Sequence, residues 1–141
     1  MTDLLASLVS LALLASAVRL TVPILLAAMG AVYSERGGVV NIGLEGIMIM
    51  GTFFGAAGTH VVAQALSAPG DGGSWAGLAP VAGMLAAMVA GVLFSLIHAV
   101  VAIAFRVDQI ISGVALNLLA VGLARFLNIL FFGVATQSPG I

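Results

Sequence analysis

The sequence predicts an all-α membrane protein, a polytopic bundle of about four to six transmembrane helices. Of its 141 residues, 62% are hydrophobic and only 6% are charged, whereas a soluble domain typically carries about 25% charged residues. The mean hydropathy is +1.30, so the chain cannot cover a water-facing surface with polar groups. The hydrophobic residues also form long runs, and a bilayer-spanning helix needs about 20 of them.

Charged and glycine-rich stretches divide the chain into four apolar segments, at about 4–33, 42–66, 75–105 and 110–134. The second and fourth segments have the length of one span each. The first and third hold about 30 residues, so each predicts either one tilted span or a span followed by a half-helix. Arg19 and Pro23 in the first segment are compatible with a broken helix of the kind transporters use and with an ordinary turn.

The breaks between segments predict the orientation. Residues 34–38 are polar and glycine-rich, residues 68–74 form a Pro-Gly turn, and residues 106–109 form a tight charged turn. If the second and third segments each cross once, Arg36 and Arg106 share a side, which the positive-inside rule places in the cytoplasm, and Asp71 lies outside. The side of the N-terminus stays open. Residues 1–3 carry no positive side chain, so a cleaved signal peptide is not expected.

The composition excludes several classes of protein. The net charge is −1 at pH 7, so there is no basic footprint for a nucleic acid. Without cysteine there is no disulfide and no thiolate ligand. His60 and His98 stand alone in different segments, with no carboxylate at ligand spacing, so no metal site is predicted. Because the chain has no lysine, no phosphate-binding loop and no catalytic motif, we predict neither an enzyme nor a cofactor.

The second segment carries the most informative polar residue. Glu45, Thr52 and Thr59 recur every seven residues and share one helical face. A carboxylate at membrane depth costs several kcal/mol unless it is paired or near water. Glu45 therefore either lines a translocation path, or occupies the favourable N-terminal end of a helix, or pairs with an arginine.

Small residues predict close helix packing in two segments. Gly51, Gly55 and Gly58 form a second face of the same helix, and G-x-x-x-G spacing lets a neighbouring backbone approach closely. In the third segment one stripe consists of Ala87, Gly91, Ser95 and His98. Gly91 is thus a further packing position, and His98 is predicted to make an interhelical hydrogen bond, with a ligand or proton-relay role as the alternative.

The fourth segment has a polar arc. Asn117, Arg125 and Asn128 fall within about 80° on a helix. We expect them to face protein or a water-filled path rather than lipid. The arc is compatible with interhelical hydrogen bonding and with contact with a transported substrate.

Two stretches resemble a known family. Residues 34–46 read SERGGVVNIGLEG and residues 108–120 read DQIISGVALNLLA. Both, in this order, resemble permease subunits of ABC importers of the nucleoside and simple-sugar type, within the branched-chain amino acid permease superfamily. The matching residues are Asn41, Gly43, Glu45, Gly46, Ser112, Gly113 and Asn117.

The resemblance implies a role and a set of partners. Such permeases pair with a second permease subunit in the plasma (inner) membrane and form the translocation path between them. ABC ATPase subunits dock from the cytoplasm, and an extracytoplasmic substrate-binding protein, either lipid-anchored or periplasmic, delivers the substrate. Asn41, Glu45 and Asn117 are then candidates for contact with a nucleoside or sugar, because amides and carboxylates bond hydroxyl groups.

The length departs from the family pattern. Family members are roughly twice as long, so residues 1–141 are expected to be the amino-terminal portion of one permease domain that continues beyond Ile141. The alternative that the length favours is a free-standing small membrane protein, either an oligomeric scaffold or a permease relic without transport of its own.

Overall fold

The computed structural model describes residues 10–66 and 76–134, and these are helical with short connections. Four helices are long and apolar enough to cross a membrane: α1 (Leu11–Arg36), α2 (Leu44–Leu66), α3 (Ala79–Ala99) and α4 (Gln109–Phe132). This confirms the predicted all-α fold class. The predicted turn at 68–74, with Asp71, and the residues after 134 lie outside the described part, so the predicted orientation stays a prediction.

The first of two units, Met1–Val39, contains α1. Ser10 caps this helix, because its hydroxyl oxygen accepts a hydrogen bond from the Leu13 N–H at 3.3 Å. Pro23 lies inside the helix and has no N–H to donate to the carbonyl of Arg19, four residues earlier. The helix continues across both residues, so the first segment, from Leu11 onward, is one continuous helix rather than a broken one.

The second unit, Val40–Ile141, contains α2, α3 and α4, and α2 packs against both of the others. Later residues of α3 contact earlier residues of α2, since Gly91 faces Ile47 and Gly83 faces Gly55. The helix α3 therefore runs antiparallel to α2. Residues of α4 contact α2 in the same direction along both helices, from Asn117 near Gly46 to Phe132 near His60. The helix α4 therefore runs parallel to α2.

Small residues bring α2 and α3 into close contact. A Cβ atom added to Gly58 would lie 2.9 Å from the Ala86 Cβ, and one added to Gly55 would lie 3.4 Å from the Ala87 Cβ. On α3, a Cβ on Gly83 would lie 2.5 Å from the Gly55 carbonyl oxygen. Such approach without Cβ atoms is the usual basis of G-x-x-x-G packing in membranes.

The other two predicted packing glycines have more room. An added Cβ on Gly51 would lie 3.7 Å from the Ala87 carbonyl oxygen, and one on Gly91 would lie 3.7 Å from the Ile47 Cγ2. These are ordinary van der Waals distances. The tightest part of the α2–α3 contact is therefore at Gly58 and Gly83.

The α2–α4 contact is filled by larger side chains. Met50, fully buried, forms a cluster with Phe94, Leu116, Ala120 and Ala124. One end of the contact is aromatic: the Phe53 ring is edge-on to Phe131 at 6.1 Å and to Phe132 at 6.3 Å between centroids. The core of the second unit thus lies along α2.

A π-helical turn, Val100–Ala104, ends the third span. The Phe105 N–H bonds the Val100 carbonyl at 3.2 Å, and Arg106 has a φ of 54°. The Asp108 carboxylate then caps α4 by accepting from the Ile110 N–H at 2.8 Å. The tight turn predicted at residues 106–109 is confirmed.

Candidate functional site

The residues that precede α2 form a turn built on Asn41. The Asn41 Oδ1 atom accepts a hydrogen bond from the Gly43 N–H at 3.1 Å, as in an Asx turn. The first helical bond runs from the Ile47 N–H to the Gly43 carbonyl at 3.1 Å. Gly43 is therefore the N-cap residue of α2, and a glycine has no side-chain oxygen to cap the free N–H groups that follow.

Asn117 of α4 bonds both sides of this turn. Its Oδ1 atom accepts from the Gly46 N–H at 2.7 Å, and its Nδ2 atom donates to the Ile42 carbonyl at 3.1 Å. One side chain thereby satisfies a donor in the first turn of α2 and an acceptor just before it. We refer to these two bonds as the Asn117 clamp.

Glycines allow α2 and α4 to cross at backbone contact. A Cβ on Gly46 would lie 3.0 Å from the Asn117 Cα, and a Cβ on Gly113 would lie 2.9 Å from the Gly43 backbone nitrogen. Nearby, the Gln109 Oε1 atom accepts from the Val40 N–H at 2.6 Å. Residues 40–46 of the first stretch on which the family resemblance rests are therefore packed directly on the second stretch.

Glu45 lies in the first turn of α2 and is exposed. Met48 and Thr52, on the same side of the helix, are exposed as well, so neither α3 nor α4 covers this face. The Thr52 hydroxyl donates to the Met48 carbonyl. We call the surface formed by Glu45, Met48 and Thr52 the open face of α2.

Thr59, predicted on the same face, is placed differently. It is half-buried, its hydroxyl donates to the Gly55 carbonyl at 2.8 Å, and it contacts Gly83 of α3. An α-helix drifts by about 20° per seven residues relative to a strict heptad. Over two heptads this drift separates Thr59 from Glu45 and turns it towards α3.

Of the three predicted substrate contacts, Asn117 is held against the backbone of the segment that carries Asn41 and Glu45. Within the described residues, no hydrogen bond joins these three side chains to one another. Asn41 is half-buried and Glu45 is exposed. The sequence analysis did not identify Gln109 as a contact residue. Its position directly after Asp108, the residue that caps α4, was the one feature that could have drawn attention to it.

His98 makes the interhelical hydrogen bond predicted for it. Its Nδ1 atom lies 3.1 Å from the Ser112 hydroxyl of α4, and the residue is 2% exposed. In the described part of the chain its Nε2 atom has no partner. The bond ties the end of α3 to the first turn of α4.

The remaining polar residues of α4 differ in exposure: Arg125 is exposed and Asn128 is half-buried. Neither makes a hydrogen bond or ion pair with another described residue. Asn117 is thus the member of the predicted polar arc that has defined partners.

An apolar groove of about 680 Å³ runs along α3 and is also lined by residues of α2 and α4. Its lining includes Met50, Phe54, Val89, Leu93 and Leu123, and every lining side chain is apolar. A hydroxyl-rich ligand would find no hydrogen bond there. The open face of α2 is the better candidate for a polar substrate.

Comparison with known proteins supplies the context for this geometry. A family model described as "Branched-chain amino acid transport system / permease component" matches residues 13–140. The chain is 50% identical over 113 residues to the guanosine ABC transporter permease protein NupQ of Bacillus subtilis, covering 80% of this chain and 33% of that protein. No solved structure matches significantly.

Two further relatives are similar in extent. The nucleoside ABC transporter permease protein NupC of Lactococcus lactis is 40% identical over 110 residues, which are 78% of this chain and 32% of that protein. The putative glucose ABC transporter permease protein TsgC13 of Haloferax volcanii is 34% identical over 114 residues, 81% of this chain and 30% of that protein. The chain spans about a third of the length of these relatives, a smaller share than the half that the sequence resemblance implied.

Proposed function

Because the chain belongs to the family of branched-chain amino acid transport permease components, a family of multi-pass plasma-membrane proteins and not of enzymes, we propose that it forms part of the translocation path of an ATP-driven nucleoside importer. Cytoplasmic ATPase subunits, an extracytoplasmic binding protein and a second permease subunit are the proposed partners. The names of the relatives support an ATP-driven system.

The open face of α2 is the observation that carries this proposal. An exposed carboxylate in a membrane-spanning helix is costly in lipid and is accommodated where it meets water or another protein group. Glu45 begins this face and Thr52 continues it two turns further along. We propose that the open face lines the path, with Asn41 beside its beginning and Asn117 behind it.

A nucleoside is the preferred substrate class. Two of the three relatives are named for guanosine or nucleoside transport, and they are more similar to this chain than the one named for glucose. The ribose hydroxyls of a nucleoside can donate hydrogen bonds to the Glu45 carboxylate and to the Asn41 amide oxygen. A simple sugar is the second choice on the same chemistry.

Uptake of radiolabelled guanosine by cells that express the complete importer tests the proposal. We expect Glu45→Gln to lower the uptake rate at least tenfold, because the amide replaces one acceptor by a donor and removes the charge. Asn41→Ala should lower it as well. Glu35→Gln, which neutralises an exposed acid in the last turn of α1, is the matched control and should transport normally.

Two results would overturn the proposal. If both Glu45→Gln and Asn41→Ala transported guanosine at the wild-type rate, these residues would not be in the path. If glucose but not guanosine were taken up by the wild type, the substrate class would be a sugar.

A further inference from the structure

The first turn of α2 lacks a cap from its own segment. Its N-cap residue is Gly43, and the nearby Asn41 side chain is already bonded to the Gly43 N–H at 3.1 Å. The Gly46 N–H, three residues into the turn, therefore has no acceptor within this stretch of chain. In a membrane-spanning helix an unsatisfied N–H is expensive, because lipid offers no water to replace the missing bond.

Asn117 supplies that cap from a different helix. In a capping box, one side chain accepts from the N–H of the third helical residue while a second side chain returns a bond to the residue at the cap. Here the Asn117 oxygen makes the first of these bonds, accepting from the Gly46 N–H at 2.7 Å, whereas its nitrogen donates to the Ile42 carbonyl at 3.1 Å, a bond that a capping box does not contain. A carboxamide carries an acceptor and a donor on neighbouring atoms, as these two bonds require.

The surrounding glycines leave little room for another arrangement. Gly46 faces backbone atoms of α4, and Gly113 faces backbone atoms of Ile42 and Gly43 just before α2, in each case within about 3 Å of where a Cβ would stand. The start of α2 is therefore held in one position relative to α4. Glu45 immediately precedes Gly46, so the place of its carboxylate on the open face follows from the Asn117 clamp.

We propose that Asn117 is a positioning residue for transport: it caps α2 from α4 and thereby fixes Glu45 on the open face. This inference rests on the proposed function only where it invokes transport. The cap itself is a property of the fold and has its own readout, hydrogen exchange at the start of α2.

The first experiment measures amide hydrogen exchange of residues 42–47 in the full polypeptide, reconstituted in lipid nanodiscs. Asn117→Ala should speed exchange of the Gly46 amide about tenfold, equivalent to about 1.4 kcal/mol. Asn117→Asp keeps an oxygen acceptor for this N–H but loses the donor to the Ile42 carbonyl, so its exchange rate should lie between those of the wild type and Asn117→Ala. Asn128→Ala, an asparagine on the same helix without a bond to α2, is the control and should leave this exchange unchanged.

The second experiment restores a cap within α2. In Asn117→Ala combined with Gly43→Ser, the new serine hydroxyl stands at the N-cap and can accept from Gly46. Its Cβ would meet the Leu116 Cδ2 at 2.9 Å, the movable end of a side chain. We expect exchange to return to within about threefold of the wild type and guanosine uptake to recover with it.

The third experiment asks whether Asn117 acts through Glu45. The double variant Asn117→Ala, Glu45→Gln should take up guanosine at the same rate as Glu45→Gln alone. If Asn117 acts only by positioning the Glu45 carboxylate, its loss has no further effect once that carboxylate has been replaced. Independent contributions would instead multiply.

These outcomes separate the two proposals. Unchanged Gly46 exchange in Asn117→Ala, or equally fast exchange in Asn117→Asp, would overturn the cap. Restored exchange without restored uptake in the Gly43→Ser combination would overturn positioning and indicate direct substrate contact by Asn117. A wild type that takes up no guanosine would refute the proposed function, while the exchange measurements would still decide the cap.

Discussion

The replacement of Gly83 by alanine tests the closest contact between α2 and α3. The new methyl group would collide with the Thr59 hydroxyl and would lie 2.5 Å from the Gly55 carbonyl oxygen and 3.1 Å from the Thr59 Cβ. Real Cβ atoms do not approach backbone oxygens so closely, so the two helices must separate or the Thr59 side chain must turn away.

The magnitude follows from three contributions. Overpacking of a tight contact costs about 1–3 kcal/mol. Displacement of the Thr59 hydroxyl also removes its hydrogen bond to Gly55, worth about 1 kcal/mol. Alanine regains about 1 kcal/mol of helix propensity over glycine. We expect Gly83→Ala to lower the free energy of unfolding by about 1–3 kcal/mol.

An SDS titration that monitors helix content in mixed micelles measures this free energy. Gly122→Ala in α4 is the matched control, since no atom lies within 4 Å of the Cβ it would add. The control should be neutral or up to about 1 kcal/mol more stable. If Gly83→Ala matched or exceeded the stability of Gly122→Ala, the α2–α3 contact would be looser than described and the reasoning would be wrong.

Three further changes have defined outcomes. In the same titration, Phe53→Ala should lose about 3–5 kcal/mol, because the ring is buried between aromatic neighbours; a loss below about 1 kcal/mol would contradict this. Ser112→Ala should lose about 1–3 kcal/mol by leaving His98 unbonded, and adding His98→Phe should recover most of that loss if the hydrogen bond is the cause. Arg125→Leu should favour insertion of the α4 segment by about 3 kcal/mol in a translocon assay, and unchanged insertion would indicate that Arg125 is not at membrane depth.

The spans were predictable because each is specified within its own segment. Lipid favours apolar runs and tolerates no unpaired backbone, so a run such as 42–66 is sufficient to indicate a helix. Pro23 left the first segment open between one helix and two. The structure has one helix there, because a proline removes a single hydrogen bond whereas breaking the helix in lipid would expose several.

The candidate site was predictable only in its residue types. Glu45 stood out as a carboxylate in an apolar run, and Asn117 as part of a polar arc. The packing of Asn117 against the start of α2 could not be predicted, because Asn117 and its partner Gly46 are 71 positions apart. Helical periodicity does not show which helix covers a given face. The placement of Thr59 against Gly83 and the π-helical end of α3 also depend on packing between helices, which the sequence pattern does not show.

The long separation between Gly46 and Asn117 has a consequence for biogenesis. During synthesis α2 leaves the ribosome before its cap exists, and the 71 residues from Ile47 to Asn117 take about 4–14 seconds at 5–20 residues per second. In that interval the start of α2 lacks the bonds from Asn117 and must rely on water at the membrane surface or on the translocon. We therefore expect α2 to enter the bilayer fully only when α4 arrives beside it, so that the second unit completes its insertion as one cooperative step.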